Sequence, residues 1–90
     1  MKVEFDPEKR RRTLDERGLD MARAGEIFEG ATLTVKDDRR DYGEPRFITI
    51  GFLDERMVAS VWTPRGESLR VISLRKCNER EQAAYGDRLR

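Results

Sequence analysis

Leu69-Arg-Val-Ile-Ser-Leu-Arg-Lys-Cys-Asn-Glu-Arg-Glu-Gln-Ala-Ala-Tyr85 is the stretch that decides how the last part of this chain folds. Its first half is an apolar run with polar residues inserted, which is typical of a strand, and its second half has a charged helical pattern. Asn78 and Glu81 have the spacing of a capping box, so the helix is predicted to begin there. Cations at the strand end, beside an acid and a phenol, fit either a phosphate-binding site or an ordinary strand-to-helix corner.

Three more strands are predicted upstream of this corner. The first contains Leu33 and Val35, the second runs from Arg46 to Leu53, and the third from Met57 to Thr63. The tight turn Asp54-Glu55 makes the last two a hairpin. A second turn at residues 64–67 leads into the strand that ends at Arg75. Together they predict a four-stranded antiparallel meander.

The N-terminal part predicts a short strand, with Val3 and Phe5 at alternate positions, followed by a two-helix hairpin. Asp6 is the expected cap of the first helix, which ends at Gly18 and has Leu14 as its apolar anchor. The second helix runs between a capping Asp20 and Gly30, and its apolar face is Met21, Ala24, Ile27 and Phe28. With a C-terminal helix reaching about Gly86, the chain predicts a single α+β domain.

Composition excludes several kinds of chemistry. The 90 residues contain no histidine and one cysteine, and the net charge is +1. Zinc sites built from histidine, Ser-His triads and intrachain disulfides are therefore excluded, and no bulk charge steers the chain toward nucleic acid. No apolar run is long enough for a membrane span or a signal peptide, so we expect a cytoplasmic protein.

RNA cleavage through attack of a ribose 2′-oxygen is one reaction that the corner residues can support. Arg70 and Arg75 can bind phosphate, Lys76 can act as a point cation, and Glu81 or Tyr85 can move protons. Strict strand alternation places Arg75 with Ser73 on one face and Arg70 with Lys76 on the other. A common site therefore requires a twist, a bulge or a strand end. The alternative interpretation makes Glu81 a capping acid, Tyr85 a core aromatic and the cations solvated.

Other polar and aromatic features have structural alternatives too. The basic run from Lys9 to Arg12 fits a solvated helix face or a contact with RNA or an acidic partner. Trp62 fits a core position or a base-stacking position, and Cys77 fits a packing position. Ser60 and Ser73, inside apolar strands, indicate exposed or partner-facing positions. The acidic turn at residues 37–44 lacks calcium-loop spacing, so no metal site is predicted.

Four segments in order resemble the BrnT family, toxins of type II toxin–antitoxin systems with a RelE-like fold. These are Phe5-Asp-Pro-Glu-Lys9 with Arg17-Gly-Leu19, the helix ending Ile27-Phe28, residues 41–51 (DYGEPRFITIG), and Trp62-Thr-Pro-Arg-Gly66 with Arg70-Val-Ile-Ser-Leu-Arg-Lys76, Glu81 and Tyr85. They span almost the whole chain, so residues 1–90 are expected to form one BrnT-like toxin domain.

The resemblance implies an endoribonuclease that inhibits translation and growth without a cofactor. It implies a BrnA-like antitoxin with a ribbon-helix-helix part, a two-plus-two complex with a possible toxin dimer, and promoter DNA bound only through that complex. The family pattern carries over onto eight residues: Lys9, Arg65, Arg70, Ser73, Arg75, Lys76, Glu81 and Tyr85.

The chain departs from the family pattern at two positions. Arg17 stands where the family commonly has a histidine, and Cys77 stands where it usually has alanine. Arginine cannot titrate near neutral pH, so a proton-transfer role at position 17 is in doubt. An inactivated toxin that only binds its partner is therefore the alternative. Direct DNA binding is disfavoured by the near-neutral charge.

Overall fold

The computed structural model describes residues 1–89, which form an α+β domain with a five-stranded sheet. In chain order the elements are β1 (Lys2–Glu4), α1 (Pro7–Arg17), a 3₁₀ helix (Met21–Glu29), β2 (Leu33–Lys36), β3 (Phe47–Leu53), β4 (Arg56–Arg65), β5 (Ser68–Lys76) and α2 (Glu79–Leu89). No helix in the described part of the chain is long and apolar enough to cross a membrane.

The sheet confirms the antiparallel meander and adds a strand to it. Its order is β1-β5-β4-β3-β2, and the pairs β2–β3, β3–β4 and β4–β5 are antiparallel. β1 pairs in parallel with β5, from Lys2 opposite Ser68 to Glu4 opposite Arg70, so the sheet is mixed. A parallel pair requires a long crossover connection, here the whole of the chain between the two strands. Strand patterns alone did not predict this pairing.

The first helix begins and ends where predicted, but its anchor differs. Asp6 accepts a hydrogen bond from the backbone N–H of Glu8 at 3.0 Å, and Gly18 ends α1 with φ +68°. Leu14 is 43% exposed, whereas the neighbouring Thr13 is buried at 6%. The prediction of Leu14 as the anchor was therefore wrong. A helix this polar is oriented by its contacts with the sheet and the 3₁₀ helix, so hydropathy alone does not identify its inward side.

The second predicted helix exists but is wound as a 3₁₀ helix. Asp20 caps it by accepting from the N–H of Ala22 at 2.9 Å. The expected apolar face is confirmed, because Met21, Ala24 and Ile27 are fully buried. Apolar spacing over nine residues does not distinguish the tighter 3₁₀ winding from an α-helix.

The sheet has an inner face and an α2 face. The inner face packs against the 3₁₀ helix through a cluster of Leu53, Val58, Leu69, Val71 and Leu74. Backbone and helix come so close there that a Cβ on Gly51 would lie 2.7 Å from Ile27 Cγ2. The α2 face carries a smaller cluster of Ile50, Met57, Ala59 and Cys77, which is covered by Leu89 and Tyr85 of α2.

Two further expectations are corrected. Ser60 is fully buried, not exposed, and its Oγ has no hydrogen-bond partner in the described residues. The C-terminal helix continues past Gly86 to Leu89. The physical reason is the burial of Leu89, which is 7% exposed and anchors the last turn against the α2 face.

Candidate active site

A β-bulge in β5 brings together two arginines that strict alternation would separate. Val61 is opposite Ser73 and Trp62 is opposite Val71, so Ile72 is the extra residue. Directly paired residues project from the same face of a sheet. Arg70 is opposite Thr63 and Arg75 is opposite Ala59, which places both arginines on the α2 face with Ser73. The bulge supplies the irregularity that a common site required.

The same face carries a third arginine near the β4–β5 turn. Arg65 is two positions from Thr63 along β4 and therefore projects to the same side. We call Arg65, Arg70, Ser73 and Arg75 the arginine row. Lys76 does not join it, because it is opposite Val58, whose side chain lies in the inner-face cluster. Lys76 instead lies near the Asp54-Glu55 turn.

Glu81 fixes the last arginine of the row. Its two carboxylate oxygens accept hydrogen bonds from Arg75 Nη1 at 2.7 Å and Nη2 at 2.8 Å. The capping box is also present, with Asn78 N donating to Glu81 Oε1 at 2.9 Å and Glu81 N donating to Asn78 Oδ1 at 2.8 Å. The bonds from Arg75, and then from the Asn78 backbone, lower the pKa of Glu81 to about 2. Glu81 is therefore ionised at neutral pH and holds Arg75 in place.

Arg17 supports β5 immediately before Arg75. Its Nη1 donates to the backbone oxygen of Leu74 at 2.8 Å. β1 pairs with β5 only as far as Arg70, so this edge of β5 has no strand partner at Leu74 among residues 1–89. Arg17 supplies the missing donor. Sequence reasoning considered only the charge of Arg17 and missed this contact, for which no local pattern gives a signal.

Lys9 lies in a cluster of positive charge. Burial lowers its pKa, and the charges of Arg12, Arg17 and Arg46 lower it further. Glu44 links Arg46 to the row, since its oxygens lie 3.2 Å from Arg46 Nε and 3.6 Å from Arg65 Nη2. Lys9 therefore lies within electrostatic range of Arg46, and Glu44 joins Arg46 to Arg65 of the arginine row.

The remaining predicted site residues have mainly structural surroundings. Arg70 lies 3.8 Å from a carboxylate oxygen of Glu4, and Tyr85 is half-buried against the α2-face cluster. Within residues 1–89, Tyr85 has no hydrogen bond to the row, so its position fits the core interpretation. No group of three or more acidic, histidine or cysteine side chains in that range is arranged to hold a metal ion.

Trp62 and Cys77 have the packing positions that the structural interpretation predicted. Trp62 Nε1 donates to Thr49 Oγ1 at 2.8 Å, and the indole ring packs edge-on against Phe28 with centroids 5.9 Å apart. Cys77 is buried, and burial raises the pKa of its thiol.

Comparison with protein-family models gives a match over most of the chain. The family model described as "Ribonuclease toxin, BrnT, of type II toxin-antitoxin system" matches residues 5–81, which include every residue of the arginine row and Glu81. No curated protein matches the chain. The match covers nearly the whole domain, so the chain belongs to the BrnT family of ribonuclease toxins of type II toxin–antitoxin systems.

Proposed function

We propose that this toxin is an endoribonuclease whose arginine row binds the RNA backbone at the bond to be cut. The observation that carries the proposal is that Arg70, Ser73 and Arg75 share one face because of the bulge, with Arg75 fixed by Glu81 at 2.7 Å. Guanidinium groups bind phosphate through paired hydrogen bonds and remain charged at any physiological pH. Such a row suits a phosphodiester that gains negative charge in the transition state.

The proposed reaction needs no group beyond the chain and the RNA. The ribose 2′-OH loses its proton and its oxygen attacks the adjacent phosphorus. The bond from phosphorus to the 5′-oxygen breaks, and that oxygen takes up a proton. The products are a 2′,3′-cyclic phosphate and a free 5′-hydroxyl. Arg70 and Arg75 stabilise the non-bridging oxygens, while Arg65 and Ser73 hold the neighbouring backbone.

We propose the following proton-transfer roles. Glu81 has a pKa of about 2, so it is a poor proton carrier at neutral pH and acts by positioning Arg75. Lys9 lies within electrostatic range of Arg46, which Glu44 links to Arg65, and its pKa is lowered, so we propose it as general base as well as an RNA contact. Tyr85, four residues after Glu81 on α2, packs its ring against the α2-face cluster but is only half-buried, and we propose that its hydroxyl is the proton donor. Lys76 is exposed at the end of β5 on the opposite face from the row, and we propose that its charge attracts the RNA strand without contacting the bond that is cut.

Family membership supports a wider role for the protein. We propose that RNA cleavage in the cytoplasm inhibits translation and growth, and that a BrnA-like antitoxin with a ribbon-helix-helix part neutralises the toxin. The complex, a heterotetramer that contains a toxin dimer, then represses its own promoter, and the toxin reaches DNA only through the antitoxin.

Arg75→Ala tests the proposal directly. Purified wild-type protein is expected to cut single-stranded RNA, with and without EDTA, and Arg75→Ala to cut it at least about a hundredfold more slowly. Arg80→Ala, which removes an exposed arginine of α2, is the matched control and should keep full activity. Thermal unfolding checks that both variants fold. A folded wild-type protein that leaves RNA intact and cells unharmed contradicts the proposal.

A non-catalytic partner-binding toxin is the second candidate. The observation that favours it is the Arg75–Glu81 pair. The guanidinium of Arg75 already donates hydrogen bonds to both carboxylate oxygens of Glu81. This alternative predicts that partner binding survives simultaneous replacement of Arg75, Lys76 and Glu81 by alanine. It also predicts that the wild type cuts no RNA. The cleavage assay therefore separates the two functions.

A further inference from the structure

The loop between β2 and β3, residues 37–46, is built around a buried carboxylate. The Asp37 side chain is 1% exposed and pairs with Arg39, whose Nε and Nη2 lie 2.7 and 2.8 Å from its oxygens. The backbone N–H of Asp37 donates to the carbonyl of Arg46 at 2.8 Å, which closes the loop. The hydrogen bonds from Arg39 lower the pKa of Asp37 to about 2, so the pair is ionised at neutral pH. The loop is thus an organised structure.

Tyr42 presents an aromatic ring in this loop. The Arg46 guanidinium lies over it, 4.0 Å from the ring centroid, and holds the ring by a cation–π contact. Tyr42 also lines an open cleft of about 450 Å³. A half-buried tyrosine supported by an arginine is the kind of surface on which a base of single-stranded RNA stacks.

The cleft adjoins the arginine row. Glu44, on its wall, bridges Arg46 and Arg65 through contacts of 3.2 and 3.6 Å. At the other end of the row, the hydrogen bonds with Glu81 raise the pKa of Arg75. The positive charge of Arg39, a residue of the loop, acts on Arg75 in the opposite direction and lowers its pKa. The loop therefore lies within electrostatic reach of the proposed phosphate site. An RNA strand on the row would bring a neighbouring base to the cleft.

The polar groups of the cleft include free acceptors. Asp38 has no hydrogen-bond or ion-pair partner among residues 1–89, and Asp41 uses one oxygen to accept from Gly43 N at 3.0 Å. An ionised carboxylate accepts hydrogen bonds and donates none. Guanine presents two adjacent N–H donors on its Watson–Crick edge, more than the other three bases, and is the base that such acceptors favour.

We propose that the β2–β3 loop is a nucleobase subsite of this toxin, with Tyr42 as the stacking surface and Asp38 and Asp41 as acceptors that select guanine. The subsite rests on the proposed ribonuclease function, because the row supplies the RNA strand. It would give the toxin a preference for guanine next to the cut bond.

Binding of uncleavable RNA tests the subsite separately from catalysis. The probes are a 2′-O-methyl uridine hexamer and the same hexamer with one central guanosine, titrated against the full-length protein by fluorescence anisotropy. We expect the guanosine hexamer to bind about tenfold more tightly, and Tyr42→Leu to remove most of this difference. Tyr42→Phe keeps the ring and should bind like the wild type. Asp38→Asn should abolish the guanosine preference while leaving stacking intact.

Equal affinity of the wild type for the two hexamers overturns the subsite, and so does unchanged binding by Tyr42→Leu. Thermal unfolding of each variant distinguishes loss of binding from loss of fold, and Asp38→Asn tests the subsite should Tyr42→Leu fail to fold. Cleavage of unmodified RNA is measured in parallel. A protein that cuts RNA without base preference retains the proposed function and loses only the subsite, whereas absence of cleavage counts against the proposed function alone.

Discussion

At the residue scale, Glu81 combines a structural task with a functional one. It closes the capping box of α2 through Asn78 and also accepts two hydrogen bonds from Arg75. A side chain with this much of its bonding capacity committed is rigid, so Arg75 is held ready for a phosphate. The two interpretations of this corner, cap and site, are therefore compatible.

Lys9 gives the first prediction at this scale. Its pKa is lowered from 10.5 by burial and by nearby arginines, so its neutral amine appears at lower pH than that of an ordinary lysine. As general base, Lys9 must be neutral, so kcat should rise with pH up to this pKa and then level off. Lys9→Arg keeps the charge but cannot titrate, and should lower kcat about a hundredfold while RNA affinity stays near that of the wild type.

Single-turnover kinetics across pH, with binding measured on uncleavable RNA, separate these effects. Lys9→Ala should lose both affinity and rate. Wild-type kcat in Lys9→Arg would mean that Lys9 only binds phosphate. Arg11→Lys, an exposed exchange on α1, is the matched control and should leave the pH profile unchanged.

At the element scale, β5 depends on a contact from outside the sheet. Arg17 donates to the carbonyl of Leu74 at 2.8 Å, where β1 no longer pairs with β5. Arg17→Met should therefore destabilise the protein by about 1 kcal/mol, the net value of one hydrogen bond. The cleavage rate should fall by more than the loss of folded protein explains. The reason is that Arg75 follows Leu74 directly and loses the support that Arg17 gives to this part of β5. Arg17→Lys keeps a donor and should restore part of the rate.

Urea unfolding and RNA cleavage of the same preparations provide the measurement. Arg11→Met is the control, since Arg11 is on α1 and pairs only with Glu8 among the described residues. If Arg17→Met is as active and as stable as this control, Arg17 does not position β5.

At the scale of the whole molecule, charge is arranged locally. The net charge is only +1, yet Arg65, Arg70 and Arg75 project from one face of the β4–β5 hairpin. The logarithm of affinity for single-stranded RNA should fall with the logarithm of salt concentration by about 0.7 for each phosphate contact. Three contacts predict a slope of about −2, and each Arg→Ala change in the row should reduce it by about 0.7.

Fluorescence anisotropy on the uncleavable hexamer between low and moderate salt measures this slope. Arg80→Ala, on the exposed side of α2, should leave it unchanged. A slope that is the same in wild type and in Arg70→Ala would show that RNA binds elsewhere.

Local sequence predicted most of the elements because each depends on neighbouring residues. The caps at Asp6, Asp20 and Asn78 are hydrogen bonds within three positions, and all three are present. The Asp54-Glu55 turn, in which both residues have positive φ, is likewise a short-range feature. The errors at Leu14 and Ser60 have the opposite origin, since burial there depends on which distant element covers the position.

The sequence by itself determined the absence of histidine chemistry, the antiparallel meander, the capping box and the family pattern, because composition and short-range periodicity encode them. Only the tertiary structure decided that Arg70 and Arg75 share a face, that Lys76 does not, and that Arg17 completes the edge of β5. These outcomes depend on a one-residue bulge and on contacts between residues far apart in the chain. In a strand, one extra residue reverses the direction of every side chain beyond it, and local pattern does not register that change.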